Sequence, residues 1–367
     1  MTPRLEIDLD AIENNTRTLT NTLTPRGIRV VGVTKGVAGS PHVAAAMMRG
    51  GAHGIADSRI DNLQALRRAG VEAPISLVRT PLLSQVSRVV ELADVSFNTE
   101  LTVLQALSEA ALAAHMRHRV VLVAELGDLR DGIPASDLVA VARAVLRLPG
   151  LTLAGIGANL ACMSGVIPGD RNMGELSELA CRIELSLGVA LDTVSGGNSA
   201  NLGWVSATAD TGRVNELRIG EAILLGTDPV RGEPLPGLSP DVMSLVGEVI
   251  EIQAKPAQPW GDRLATTAFG PAPVGSTAGI VRQAIVAIGR QDAALESISA
   301  VDGYRLLGMS SDHLALDIGA AALSVGDEVR FHIGYSSLLR AAHSRSVGTQ
   351  LLSSVAALHS GPTRVPA

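Results

Sequence analysis

Short apolar runs and longer amphipathic stretches take turns along this chain. Residues 4–8 alternate polar and apolar, as a short strand does. Asp10 or a neighbour is placed to cap a helix through Leu23, with Ile12 and Leu19 on its apolar side. Ile28, Val30, Val31 and Val33 are β-branched and apolar on both faces, the pattern of a strand buried in a parallel sheet. That strand should end at Lys35, and Gly36 and Gly39 open the loop after it. A helix is expected from Pro41 to Gly50. Further strands are expected over 54–56, 75–78 and 95–97, each followed by a helical pattern, over 59–69, from Pro81 to about Leu92, and over 99–115.

The rhythm then repeats. A strand over 120–125 runs into Gly127-Asp128-Leu129-Arg130, and Ser136 is placed to cap a helix to Leu146. A strand over 152–156 ends in Gly157-Ala158-Asn159, with a helix from about Gly174 to Leu187. Residues 191–194 lead into Ser195-Gly196-Gly197-Asn198-Ser199, and 216–219 lead into Gly220. Eight strands alternating with helices over about 220 residues have the size of a (β/α)8 TIM-like barrel. A doubly wound sheet shares the rhythm but usually carries GxGxxG after its first strand, and none follows here.

The texture changes after Gly226. Pro229, Pro234, Pro236 and Pro240 mark a linker. Strand-like runs follow at 243–253, 283–288, 304–309, 313–318 and 328–333, separated by turn signals such as Gly289, Gly303 and Gly326-Asp327. The expected organisation is a barrel over 1–228 and a C-terminal all-β domain over 229–367, with the first strand, 3–8, able to pair with that domain.

Composition narrows the function. The net charge is −6 and only 2% of residues are aromatic, so neither a basic patch nor a stacking platform for nucleic acid is present. Cys162 and Cys181 form no disulfide framework and no metal spacing, which points to a reducing compartment. The N-terminus has no apolar signal core, and no apolar run reaches the roughly 18 residues of a membrane span. A cytoplasmic protein without nucleic-acid or membrane partners is expected.

Barrel chemistry gathers at the C-terminal ends of the strands. Lys35, Asp57-Ser58-Arg59, Arg79, Arg130, Asn159, Ser199, Arg218 and Gly220 land there. Together they supply a reactive amine, guanidiniums and glycine turns, a set suited to a phosphorylated cofactor and a carboxylate substrate. Each signal alone has an ordinary structural reading. A strand-end lysine can snorkel to water, an arginine can pair with a neighbouring aspartate, and a cysteine can fill a core. Their common placement on one rim favours a site.

The pattern resembles the alanine racemase superfamily, the fold-type III pyridoxal-5′-phosphate (PLP) enzymes, and within it the ornithine racemase branch. The resemblance rests on LEIDLDAIENN at the start, VTKGVAG at 33–39, NLACMSGV at 159–166, SGGNSANL at 195–202, LRIGEAILLG at 217–226, AIGRQDA at 287–293 and SSDHL at 310–314. It implies a PLP barrel, a C-terminal β-domain and a head-to-tail homodimer. It implies a racemase that exchanges the Cα proton of a basic amino acid such as ornithine or lysine. Other reactions of the fold (epimerase, aldolase or decarboxylase) and a non-catalytic PLP-binding homeostasis role are the alternatives.

By the same resemblance Lys35 is the Schiff-base lysine. Ser199, with backbone N–H groups near Asn198, Gly220 and Glu221, holds the phosphate. Arg218 faces the pyridine nitrogen, and Asn159 lies beside the ring. Arg130 lies near the substrate carboxylate. Asp312 reaches the partner's site, and Arg290 and Tyr335 lie in C-terminal stretches that face it too. No metal is implied. Two departures stand out: Gly39 replaces a tyrosine of the lysine loop, and Phe269 stands nearest to the C-domain tyrosine that serves alanine racemase as second acid/base. Two-base racemisation needs another titratable group opposite Lys35. Cys162, Asp312, His313 and Tyr335 are the candidates.

Overall fold

A computed structural model describes residues 2–271 and 279–353. It divides into two compact units, residues 11–240 and residues 1–10 with 241–367.

The first unit is a closed parallel barrel. Its strands are β2 (Arg29–Val33), β3 (Gly54–Asp57), β4 (Ile75–Leu77), β5 (Val95–Asn98), β6 (His118–Glu125), β8 (Leu151–Gly157), β9 (Thr193–Gly197) and β10 (Glu216–Ile219), with the two-residue β7 (Ile133–Pro134) beside the end of β6. Neighbours pair in parallel from β2 to β5. The β5–β6 ladder then continues the ring, and β10 closes it against β2 with Arg218 opposite Val31. β-Branched strand residues face inward and outward alike, because helices cover the outside and side chains fill the inside. Phe97, Val121, Val123 and Ala154 form one such buried cluster, and Val31, Val33 and Ala56 another. Between β8 and β9 the backbones approach so closely that a Cβ on Gly155 would stand 1.8 Å from the Thr193 carbonyl oxygen, so only glycine fits.

The helices are α1 (Leu9–Leu23), α2 (Pro41–Arg49), α3 (Ile60–Arg68), α4 (Val86–Leu92), α5 (Leu101–Ala113), α6 (Leu138–Val145), α7 (Asp170–Leu187), α8 (Asn201–Ala207) and α9 (Glu221–Leu225). α3 shows how the pattern works: Ile60, Leu63 and Leu66 recur at helical spacing and are buried, while Asp61 and Arg68 are exposed. Several boundaries differ from the sequence expectation: α1 starts at Leu9 with Asp10 inside it, and α4 starts at Val86, after a 3-10 turn over Leu83–Gln85, and not at Pro81. The N-cap of α6 is Asp137, and the Ser136 hydroxyl donates to the Asp137 carboxylate at 2.9 Å instead of capping the helix. α7 starts at Asp170, ahead of Gly174, because the Asn172 side chain accepts from the Gly169 N–H at 2.8 Å and satisfies the first turn.

The second unit is an antiparallel sheet in the order β15 (Ile298–Ala300), β18 (Glu328–Ile333), β11 (Met243–Pro256), β14 (Ile280–Val286), β17 (Leu314–Asp317), β16 (Arg305–Met309). β1 (Arg4–Asp8) joins it, antiparallel to β11 and parallel to β19 (Gly348–Leu352). A two-strand ribbon, β12 (Thr266–Thr267) with β13 (Gly270–Pro271), lies apart from the main ladder. β18 alternates exposed and buried positions, with Val329, Phe331 and Ile333 inward, as a sheet with one wet face requires. The described part of the unit also holds an α-helix, α10 (Tyr335–His343), which the sequence pattern does not foretell.

No helix among the described residues is long and apolar enough to cross a membrane.

Candidate active site

The barrel candidates converge at the C-terminal ends of its strands. β2 stops at Val33, and Lys35 sits in the single 3-10 turn that follows, Lys35–Val37. The turn closes through Ala38 and Gly39, both left-handed, with φ of 51° and 70°. Gly39 also presses on α3: a Cβ there would stand 2.5 Å from the Asn62 Cβ. Glycine at this position is therefore a packing requirement.

The Lys35 amine is mostly buried and has no hydrogen-bond or ion-pair partner among the described residues. Burial lowers its pKa from the ordinary lysine value. Cys162 and Asp57 act in the opposite direction, and Arg130 and Arg218 add to the lowering. Burial thus shifts the amine toward its neutral, nucleophilic form relative to an exposed lysine.

Asp57 closes β3 directly below. It is fully buried, and its carboxylate accepts from the Thr34 hydroxyl at 2.8 Å, the Arg59 N–H at 2.9 Å and the Asn62 amide at 3.0 Å. Burial outweighs these bonds and raises its pKa. Asp57 stands on the expected rim, but its part in fixing the lysine turn arises from contacts between β3, the turn and α3.

Arg218 on β10 is a buried cation. Its Nη2 donates to the Ala158 carbonyl at 2.8 Å, its Nη1 donates to the Ser195 hydroxyl, and its guanidinium carbon lies 4.5 Å from the Phe97 ring centroid. Ser195 in turn donates to Glu216 at 2.8 Å. Burial pushes Arg218 down to about 10, with Glu216 as the main opposing charge. The sequence reading missed Glu216 and Ser195 as supports. A signal existed, since Glu216 and Arg218 are two apart on one strand and so share a face.

The turn after β9 carries Asn198 and Ser199. The Ala222 N–H donates to the Ser199 hydroxyl at 3.2 Å, which brings the first turns of α8 and α9 together with Gly220 and Glu221 at the second. Burial, Asp228 second, raises Glu221 to about 7, and Lys35 opposes the rise. Asn198 donates to the Asn159 side-chain oxygen at 3.1 Å and the Leu160 carbonyl at 2.8 Å. The Cys162 sulfur accepts from Asn159 at 3.0 Å and Asn198 at 3.4 Å. Arg130 pairs with Asp131 at 2.5 Å on the loop after β6. Lys35, Arg130, Asn159, Cys162, Asn198, Ser199, Arg218, Gly220 and Glu221 thus occupy one end of one barrel.

The remaining candidates belong to the second unit. The Arg290 N–H donates to the Ser310 carbonyl at 2.9 Å, which fastens the turn bearing Asp312 and His313 beside it. The Arg290 guanidinium lies 5.2 Å from the Phe269 ring centroid. Asp312 accepts from His313 at 2.8 Å and from Ser311 at 3.0 Å, and these bonds lower its pKa. Tyr335 opens α10, apart from that turn in sequence. No cluster of three or more metal-ligating side chains occurs among the described residues.

The profile of the alanine racemase N-terminal domain matches residues 7–228. The chain belongs to the alanine racemase family. Ornithine racemase of Acetoanaerobium sticklandii is 33% identical to it, over 96% of this chain and all of that one. Lysine racemase of Thermotoga maritima is 33% identical, over 93% of this chain and 96% of its own. Among solved structures, alanine racemase of Streptomyces lavendulae superposes with a TM-score of 0.75 at 21% identity, covering 98% of this chain and 100% of that one. The similarity of fold confirms a barrel followed by a β-domain for this member of the family.

Proposed function

We propose that the protein is a PLP-dependent racemase that interconverts the L and D forms of a basic amino acid, ornithine or lysine. The observation that carries this reading is Lys35, a buried amine with a lowered pKa and no partner among the described residues, at the mouth of a racemase-family barrel. The relatives named for ornithine and lysine, each 33% identical over more than nine-tenths of this chain, support the choice of substrate class.

The donor set fits the cofactor. Lys35 would hold its aldehyde carbon. Ser199 and the first-turn N–H groups of α8 and α9 would hold its phosphate. Arg218 would face its pyridine nitrogen, with Asn159 beside the ring and the backbone near Asn198 toward the phosphate. When bound, the group draws electron density from the substrate Cα and so acidifies its proton.

The protein's own residues then do the rest. Lys35, its ammonium form disfavoured by burial, takes or returns the Cα proton on one face. Arg218, held charged by the Ser195–Glu216 chain, would leave the facing nitrogen unprotonated, which favours simple proton exchange. Arg130 would bind the α-carboxylate. A second group would serve the opposite face: Cys162 from the barrel, or Asp312, His313 or Tyr335 from a second copy in a cytoplasmic head-to-tail homodimer. Arg290 and Asp312 would read the substrate there.

The test is L- and D-ornithine and lysine in deuterated solvent, followed for Cα exchange and inversion. Wild-type protein should show both. Lys35→Ala should lose them, by at least about a thousandfold, together with the borohydride-trappable cofactor absorbance. The reading is falsified if Lys35→Ala retains either.

A further inference from the structure

The loop after β6 carries Arg130, and the loop after β8 carries Asn159 and Cys162. The Asp128 side chain joins them. Asp128 is 1% exposed, and among the described residues no cation pairs with it. Its carboxylate is committed to the other loop's backbone. Oδ2 accepts from the N–H of Cys162 at 3.2 Å and of Met163 at 3.0 Å, and Oδ1 accepts from the Ser164 N–H at 3.1 Å. The Asp128 carbonyl accepts from the Ser164 hydroxyl at 2.6 Å.

Both loops are bent at this clamp. Leu129 has φ of 52° and Ala161 has φ of 59°, left-handed values that side chains adopt at a cost and keep only where their surroundings hold them. The arginine loop is braced from its own side as well, since Glu125 accepts from the Gly127 N–H at 2.6 Å and the Leu129 N–H at 3.1 Å. A carboxylate accepts on both arms and donates on neither. An amide in its place would turn an N–H toward another N–H.

From this we infer that Asp128 is a positioning residue. It locks the Arg130 loop and the Asn159–Cys162 loop into one rim that receives the carboxylate of the amino acid. The inference rests on the racemase reading for the ligand and on the hydrogen bonds alone for the lock. Arg130 is close enough to Lys35 and Arg218 to act on both electrostatically, so a shift of its loop changes what the site presents to an anion.

The test uses full-length protein loaded with PLP and a double-mutant cycle of Asp128→Asn and Arg130→Ala. Each single change should raise KM for ornithine roughly tenfold, with kcat changed less. The double variant should lie within about twofold of Arg130→Ala, because the two residues act as one unit. Calorimetric affinity for δ-aminovalerate, a carboxylate with a distal amine and no α-amine, should follow the same pattern without any turnover. Effects that multiply, or an Asp128→Asn protein with wild-type KM and affinity, overturn the inference. If δ-aminovalerate follows the pattern while wild-type protein racemises nothing, the lock stands and the racemase reading falls. Should Asp128→Asn fail to fold, Ser164→Ala removes one of the four bonds and should weaken δ-aminovalerate in the same direction. An unchanged affinity there overturns the inference.

Discussion

The barrel mouth and the Asp312 turn carry similar residue types in opposite surroundings. At the mouth, Lys35, Asp57, Arg218 and Glu221 are displaced from their ordinary pKa values chiefly by burial, each toward its neutral form. At the turn, Asp312 is fully exposed, and its His313 bond favours the ionised form. The difference is one of solvent access more than of charge. Desolvation turns ordinary side chains into poised acids and bases, whereas at the exposed turn a hydrogen bond, and not burial, sets the shift of Asp312.

The sharpest way to break this comparison is to ask which region supplies the second proton group. Cys162→Ala should lower kcat about a hundredfold, the scale of a lost general acid/base. Asp312→Asn and His313→Ala in the same assay should stay within about threefold on kcat. The opposite ranking, read from initial rates of both substrate enantiomers, moves that group to the second unit.

A smaller effect concerns pH and stability within the barrel. Glu221 is raised to about 7 from 4.5, so between those values the folded state holds a proton that the unfolded state has lost. Stability therefore falls as pH rises through that window, by up to about 3 kcal/mol, less whatever solvent screening removes. His118, buried on β6 and bonded to the Ser96 hydroxyl at 2.8 Å, is lowered by burial to about 4 from 6.5. There the unfolded state holds the extra proton, and stability rises with pH by a similar amount. The two slopes oppose each other where they overlap. Wild-type denaturation midpoints should be nearly flat from about pH 4.5 to 6.5. Glu221→Gln should reveal a rising slope, and His118→Asn a falling one. Equal slopes in all three proteins would show that burial does not set these groups.

The smallest effect should come from surface pairs. Arg213 and Glu184 meet at 2.9 Å on the barrel exterior, and the pair lowers Glu184 to about 2. Both side chains are partly exposed, so Glu184→Gln should cost less than about 1 kcal/mol in urea denaturation. A larger loss would mean that exterior charge, as well as interior burial, holds the barrel together.

The strands that build the mouth were readable from the chain because a parallel strand buried on both faces is a run of β-branched residues. The rim positions of Lys35, Arg130, Asn159, Ser199 and Arg218 follow from where those runs end. What escaped notice depends on partners distant in sequence. Asp57 gains its role from Thr34 and Asn62, Asp128 from the backbone of 162–164, and Ser195 from Arg218 and Glu216. Such hydrogen bonds leave no periodic trace. α10 escaped because it is set among strands, without the strand–helix alternation that marks the barrel helices.

The pairing of β1 with β19 has a consequence for biosynthesis. Arg4 lies beside Gly348 and Asp8 beside Leu352, so β1 must wait for a partner made more than 300 residues later. The barrel's strands all emerge from the ribosome in between, and that unit can close while the leading strand still has an open edge. A polypeptide halted after the barrel would carry β1 without either neighbour, and an unpaired edge invites pairing with other chains. Synthesis of β11 and β19 is thus the event that removes the hazard, and a chain cut between the barrel and β11 should yield aggregates rather than a free-standing barrel.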